Sequence, residues 1–408
     1  MKPHPVYAVR GEGCRVWDAD GVARIDCINN FTSLIHGYGH PAINAAIREQ
    51  VELGTAFGMP TESEIELAEL LAQRVASVET VRFMNSGTEA VMNALKAARA
   101  FTGRAKIAKV EGAYHGSYDY SEVSLDPTPA NWGGAQPASV AYAAGTPRGV
   151  TDDVIVLPFN DPKGARRLIE QHGNELACVL VDPMPNRAGL VPATVDYIRA
   201  LREASTKVGA LLVFDEVITL RLGYHGAQPF WNVEADLTTM GKIIGGGFPV
   251  GAVGGRRDVM DVFSPLRGKP ALPHGGTFSA NPMTMRAGLA AMKILDGEAF
   301  ARLDLIGDSV RTGLQASLRR HGVPGSVVGC GSLLKVHLTG RAVSDYRSAL
   351  PDAAEAQRLN DFNLALLNRG VMAASYGLMA LSTAMTDSDI AEIIEAMDGA
   401  VKEIANAM

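Results

Sequence analysis

From Val81 onward the chain breaks into short apolar runs, each closed by polar residues and followed by a helical stretch, and that rhythm restricts the folds open to it. Val81-Arg82-Phe83-Met84 leads to a helix read over 89–101. Lys106-Ile107-Ala108-Lys109-Val110 ends at Glu111-Gly112-Ala113-Tyr114-His115-Gly116. Ala177-Cys178-Val179-Leu180-Val181 ends at Asp182-Pro183, and Ala210-Leu211-Leu212-Val213-Phe214 ends at Asp215. Continuous, mostly apolar runs of this length, each followed by polar residues and a helix, belong to strands buried on both faces, which points to a mostly parallel sheet wound with helices: an α/β fold. Such sheets bind ligands at the carboxyl ends of their strands, where the polar residues of this chain stand.

The flanks read differently. Asp18-Ala19-Asp20-Gly21 marks a hairpin turn between Arg15-Val16-Trp17 and Ala23-Arg24-Ile25-Asp26. The nearby Gly11-Glu12-Gly13 lacks the third glycine of a dinucleotide fingerprint, Val16 standing in its place, and no helix follows. Apolar periodicity predicts helices over 41–53 and 63–75, then over 285–295, 299–321 and 387–406, with short strands around Gly331-Ser332-Leu333-Leu334-Lys335-Val336-His337-Leu338. A large domain over 50–285 and a small α+β domain built from 1–49 and 286–408 are the expected division. At 408 residues and 47% hydrophobic content the chain can bury cores of that size.

A net charge of −6 without long like-charge runs argues against nucleic-acid or anionic-membrane partners. No apolar stretch is long enough to span a bilayer, and Met1-Lys2-Pro3-His4-Pro5 lacks a signal-peptide core, so a cytoplasmic protein is expected. Cys14, Cys27, Cys178 and Cys330 lie far apart and read as free buried thiols. His36 and His40 lack a third ligand pattern and read as loop histidines, so no metal is expected.

Four strand-end elements carry chemistry. Lys242 lies in Met240-Gly241-Lys242-Ile243-Ile244-Gly245-Gly246-Gly247, where little would hold it as a solvated charge; desolvation lowers an amine's pKa and favours Schiff-base formation. Asn85-Ser86-Gly87-Thr88-Glu89-Ala90, between strand and helix, offers hydroxyls and free amides to a phosphate. Tyr114, followed by His115, can lie flat on a planar ring. Asp215 closes an apolar strand, and a buried carboxylate there calls for a cationic partner such as a protonated pyridine nitrogen. Each has a plainer reading alone: a glycine-capped surface lysine, Ser86 or Thr88 as a helix cap, a core tyrosine, an aspartate capping the next turn. Jointly they ask for a phosphate, a flat ring, a basic ring nitrogen and an aldehyde, and pyridoxal 5′-phosphate has all four.

The chain also resembles the class III, fold-type I pyridoxal-phosphate aminotransferases along essentially its whole length. The resemblance is strongest toward the branch of glutamate-1-semialdehyde aminomutase and the β-amino-acid aminotransferases. It rests on Arg15-Val16-Trp17-Asp18-Ala19-Asp20-Gly21, Asn85-Ser86-Gly87-Thr88-Glu89-Ala90, Ala113-Tyr114-His115-Gly116, Leu211-Leu212-Val213-Phe214-Asp215-Glu216-Val217, Gly241-Lys242-Ile243-Ile244-Gly245-Gly246-Gly247 and Gly275-Gly276-Thr277-Phe278. It implies a seven-stranded type of large-domain sheet, Lys242 as the Schiff-base lysine, Asp215 against the ring nitrogen, and Tyr114 and Val217 on opposite ring faces. Gly87 and Thr88 would hold the phosphate, with Thr277 reaching it from the partner of a homodimer.

Departures bear on substrate. The family segment that brings a serine and an arginine to the substrate carboxylate lies ahead of the first hairpin, where this chain has Met1–Val9, too short to supply it. Tyr376 stands where the β-amino-acid branch has an arginine, and Asp182-Pro183 replaces the family's Glu-Pro ahead of Asn186. Arg187 and Arg221 could substitute, though both read more simply as surface charges. The expected activity is a ping-pong transamination between an amino donor, a β-amino acid or amine, and a keto or aldehyde acceptor. Phe31, Asn186 and Tyr376 would line the substrate side, with weak dependence on a substrate carboxylate. The alternatives are an aminomutase, racemase or lyase on the same cofactor, or a catalytically silent cofactor-binding subunit.

Overall fold

A computed structural model describes residues 5–408, so the reading of the first four residues as lacking a signal-peptide core lies outside it. Seven strands make the central sheet: β1 (Thr80–Met84), β2 (Lys106–Val110), β3 (Val154–Leu157), β4 (Leu176–Val181), β5 (Leu211–Asp215), β6 (Leu237–Gly241) and β7 (Gly251–Gly255). Their order is β1-β7-β6-β5-β4-β2-β3. Neighbours from β6 to β3 run parallel, while β7 is antiparallel to both β1 and β6. β4 and β5 are buried at every position, as a sheet covered by helices on both faces requires.

Three of these strands escape the apolar-run reading, for visible reasons. β6 is Leu-Thr-Thr-Met-Gly, with Thr238 and Thr239 fully buried. β7 is Gly-Ala-Val-Gly-Gly, a poor strand former by composition. Its glycines serve close approach: a Cβ on Gly251 would collide with the Ser86 backbone. β3, Val-Ile-Val-Leu, is apolar but only four residues long and follows the short helix Arg148–Asp152. The helices Pro162–Gln171, Val195–Val208 and Ala353–Asn368 were likewise not anticipated, whereas Pro41–Leu53 and Asp387–Asn406 fall as predicted.

Two smaller sheets flank the central one. Strand Ala23–Asp26 pairs antiparallel with Arg15–Asp18, as the hairpin signal predicts, and parallel with Val371–Met372, so chain segments far apart in sequence share one sheet. The third sheet orders Ser326–Val328, Leu333–His337 and Leu378–Ala380. Cys14, Cys27 and Cys178 are free and buried; Cys330 is free but partly exposed, because it lies in the loop before Leu333 rather than in a core. No helix among the described residues is long and apolar enough to cross a membrane, and no cluster of potential metal ligands occurs among them. His36 lies in a turn, as read, and is buried there: Nδ1 meets Thr383 Oγ1 and Nε2 meets the Ala291 carbonyl, both at 2.9 Å.

Candidate active site

The carboxyl ends of β1, β2, β4, β5 and β6 converge on a cavity of about 120 Å³. Ser86, Gly87, Thr88, Tyr114, His115, Asp215, Val217 and Lys242 all line it. Asp182 joins them from the end of β4.

At the β1 end, Ser86 is the N-cap of the helix Gly87–Thr102; its Oγ accepts the Glu89 amide at 3.1 Å. Thr88 Oγ1 accepts the Ser117 amide at 3.1 Å. The capping reading of Ser86 is therefore correct, yet each hydroxyl keeps a proton to donate, and the first amides of the helix have no intrahelical acceptor. A Cβ on Gly87 would stand 3.0 and 3.1 Å from the Val217 methyl carbons, so only glycine leaves this cradle its width. Tyr114 is 44% exposed, so it is not the core residue of the plainer reading.

Asp215, 4% exposed, is held by neutral donors: His115 Nδ1 donates to Oδ2 at 2.7 Å, and the Val217 amide and Thr239 hydroxyl donate to Oδ1 at 3.1 and 2.9 Å. No arginine or lysine pairs with it among the described residues. Burial pushes the His115 imidazole down despite Asp215, so the ring is neutral and its Nδ1–H points at the carboxylate. Asp215 thus presents negative charge that its own neighbours leave uncompensated. Burial first, and the neighbouring Asp215 second, push the Asp182 carboxyl well up. Lys242 follows β6 in a left-handed conformation, φ 50°, and burial depresses its amine against the opposing pull of Asp215 and Asp182. A buried anion, a depressed amine and a donor-rich helix start fit a cationic ring nitrogen, an aldehyde and a phosphate respectively.

A family model for class-III aminotransferases matches residues 1–401 of the chain and so spans all of these elements. The chain belongs to the class-III aminotransferases. As a member it is a pyridoxal-phosphate enzyme of fold type I. A glutamate-1-semialdehyde 2,1-aminomutase from Persephonella marina is 38% identical over 98% of this chain and 92% of its own length. The crystal structure of an omega-transaminase from Sphaerobacter thermophilus is 50% identical, with a TM-score of 0.96 over 100% of this chain and 92% of that one. A transaminase solved with the cofactor bound is 43% identical, with a TM-score of 0.93 over 100% of this chain and 93% of that one. The aminomutase name matches the alternative reading of the sequence, and the transaminase names match its first reading.

Not every predicted residue joins this class-III site. Thr277 is exposed and lines a separate cavity of about 550 Å³ with Phe57 and Met59. Phe31, 57% exposed, does not line the Lys242 cavity. It sits in Asn29–Thr32, whose four residues are all left-handed at φ 51, 46, 51 and 76°. Such backbone persists only where surroundings over-determine it. Arg221 does so here: it donates to Thr32 O at 2.9 Å, Leu381 O at 2.5 Å and Ser332 Oγ at 3.1 Å. Arg221 is thus 1% exposed, correcting its reading as a surface charge; with no acidic partner among the described residues, burial lowers its pKa to about 9. Asn186 and Tyr376 do meet, Asn186 Nδ2 lying 3.4 Å from the Tyr376 hydroxyl. Arg187 is partly exposed, 3.5 Å from Asp126. Thr239 and Asp182 were missed as site residues, although a polar residue within or ending a buried strand was the available signal.

Proposed function

We propose that the chain is a pyridoxal-phosphate aminotransferase that moves an amino group from a β-amino acid or amine to a keto or aldehyde acceptor in two half-reactions. The observation that carries this reading is the cavity itself, in which the buried, cation-free Asp215 faces the same space as Lys242 and the Ser86-Gly87-Thr88 helix start. When bound, pyridoxal 5′-phosphate supplies an aldehyde that exchanges its oxygen for an amine and a ring that withdraws electrons from the adjacent bond. Ser86, Gly87 and Thr88 would bind the phosphate, Asp215 would keep the ring nitrogen protonated, and Tyr114 and Val217 would bracket the ring. His115, neutral and donating Nδ1–H, fixes the Asp215 carboxylate. Lys242 Nζ, whose amine burial depresses, would take the proton from the donor carbon bearing the amine and, in the second half-reaction, would deliver one to the acceptor carbon that receives the amine. Thr277, absent from the Lys242 cavity of its own chain, would contribute to the partner's site in a homodimer. Sedimentation at twice the chain mass would support that, and a monomer with full cofactor would refute it.

The identities of 50% and 43% to transaminases support transfer to a second substrate. The second reading, an aminomutase, is favoured by the named relative at 38%. Turnover of purified holoenzyme with and without a keto co-substrate separates them. Transfer that stops after one equivalent without pyruvate or 2-oxoglutarate supports the aminotransferase, and sustained isomerisation without one refutes it. Failure of every amine tested to change the cofactor spectrum would leave only a silent subunit.

A further inference from the structure

A second cavity, about 160 Å³, lies against strand Leu333–His337, and Lys335, Arg187 and Tyr376 are in its wall. Tyr376 lines this cavity and meets Asn186; burial first, and the phenol of Tyr114 as a smaller influence, push its hydroxyl up, and Tyr114 in turn lines the cofactor pocket.

Lys335 is the unexplained group. It is 7% exposed, yet it has no ion pair among the described residues. Its Nζ donates to the Asn186 carbonyl at 2.9 Å and lies 5.4 Å from the Tyr376 ring centroid, which leaves donor capacity unused. The acids of the wall are engaged elsewhere: Glu355 by Arg341 at 2.7 Å, and Asp126 by Arg187 at 3.5 Å and the Tyr346 hydroxyl at 3.2 Å. A buried ammonium without a counter-charge is unfavourable unless something anionic completes its shell. Asn186 adds a second unfinished group, because its Oδ1 is buried without a partner. Turning the amide over would let Oδ1 accept the Tyr376 hydroxyl and free Nδ2 as a further donor.

The geometry points to a carboxylate subsite in which Lys335 Nζ, with Arg187 beside it, receives the acid group of a substrate whose amine reacts at Lys242. The cation missing at Tyr376 is thereby supplied from the strand behind it, and a substrate lying past Tyr114 would meet Asn186 and Tyr376 on the way. The identity of the ligand as substrate rests on the proposed amino-group chemistry; the anion site does not.

The probe is 3-phenylpropanoate, a carboxylate without an amine, titrated calorimetrically into holoenzyme beside the neutral 3-phenylpropanol. The acid should bind at least about tenfold more tightly than the alcohol in the wild-type enzyme. Lys335→Met should remove that advantage without changing alcohol binding, and Lys335→Arg should restore most of it. Equal affinity for acid and alcohol in the wild-type enzyme overturns the proposal without any variant. So does an advantage that survives Lys335→Met, or one lost in Arg187→Ala while Lys335→Met retains it. A cofactor spectrum unresponsive to every amine, with acid binding intact, would instead defeat the aminotransferase reading and leave the anion site standing.

Discussion

Two lysines, Lys242 and Lys335, are depressed by burial, but they sit in opposite electrostatic settings. Lys242 has Asp215 and Asp182 pulling its amine back toward the charged form, whereas Lys335 has Arg187 pushing it further down. The first wall sets a buried anion, Asp215, against a depressed amine and leaves between them the space a cofactor would fill. The second is short of an anion. The difference separates a constant requirement of the chemistry from a variable one: the cofactor side must be complete in every member of the family, while the substrate side is completed by whatever molecule the enzyme handles.

The strongest way to break the comparison is at Lys242. Lys242→Ala should retain the fold and lower kcat by at least about a thousandfold, in line with the loss of a positioned proton carrier and of covalent cofactor attachment. Stopped-flow turnover together with the visible spectrum checks it; activity within tenfold of wild type would remove Lys242 from the mechanism.

Asp215→Asn tests whether the balance at the first wall is ionic. The amide keeps the shape but withdraws the charge and offers a donor where His115 and Thr239 already donate. A charge-assisted bond is worth roughly 1.5–3 kcal/mol, so kcat should fall by about ten- to a hundredfold or somewhat more. Thermal denaturation should show a loss of stability even without cofactor, since the amide NH2 must face either the His115 Nδ1–H or the Val217 and Thr239 donors, and whichever it meets loses its acceptor. An unchanged kcat would mean that the ring nitrogen is not held there.

Gly87→Ala sharpens the same wall with a smaller effect. The added methyl would press on Val217 at 3.0 Å and narrow the cradle. We expect cofactor affinity to fall about tenfold, equivalent to about 1.4 kcal/mol, with little change in kcat at saturating cofactor. Equilibrium dialysis measures it, and an unaltered affinity would place the phosphate elsewhere.

The same contrast explains what the sequence discloses. The first wall is assembled from strand ends, where each functional residue closes a buried run or opens a helix, so Lys242, Asp215 and Ser86-Gly87-Thr88 are visible locally. The central sheet is visible for the same reason, except where glycine or threonine strands such as β7 and β6 fit by close approach rather than by apolar side chains. The second wall has no local signature. Lys335 sits between Leu334 and Val336 and reads as the outward lysine of an alternating strand; only the loop bearing Asn186 and the turn bearing Tyr376, far away in sequence, bury it. Arg221 is misread in the same way, because the carbonyls of Thr32 and Leu381 that hold it come from two distant segments. Spacing cannot reveal a charge whose burial is decided by other parts of the chain.

The gentlest test of the comparison is pH. The groups facing Lys335 are the Asn186 carbonyl, Tyr376, Arg187 and His337, with Asp126 and Glu355 already paired. Burial first, and Arg187 second, lower the Lys335 amine from 10.5 to about 7, while His337 is lowered to about 4 and so stays neutral across the working range. The sign follows: the amine is charged below about 7 and loses its proton as pH rises through that value. For a carboxylate substrate, kcat/KM should therefore decline above about neutrality relative to a neutral amine measured in parallel, which cancels any shared titration at Lys242. Removing the neighbouring positive charge in Arg187→Ala should raise the lysine's pKa and move that decline to higher pH. A decline common to both substrates would assign it to the first wall, and a shift to lower pH in Arg187→Ala would contradict the like-charge coupling between Arg187 and Lys335.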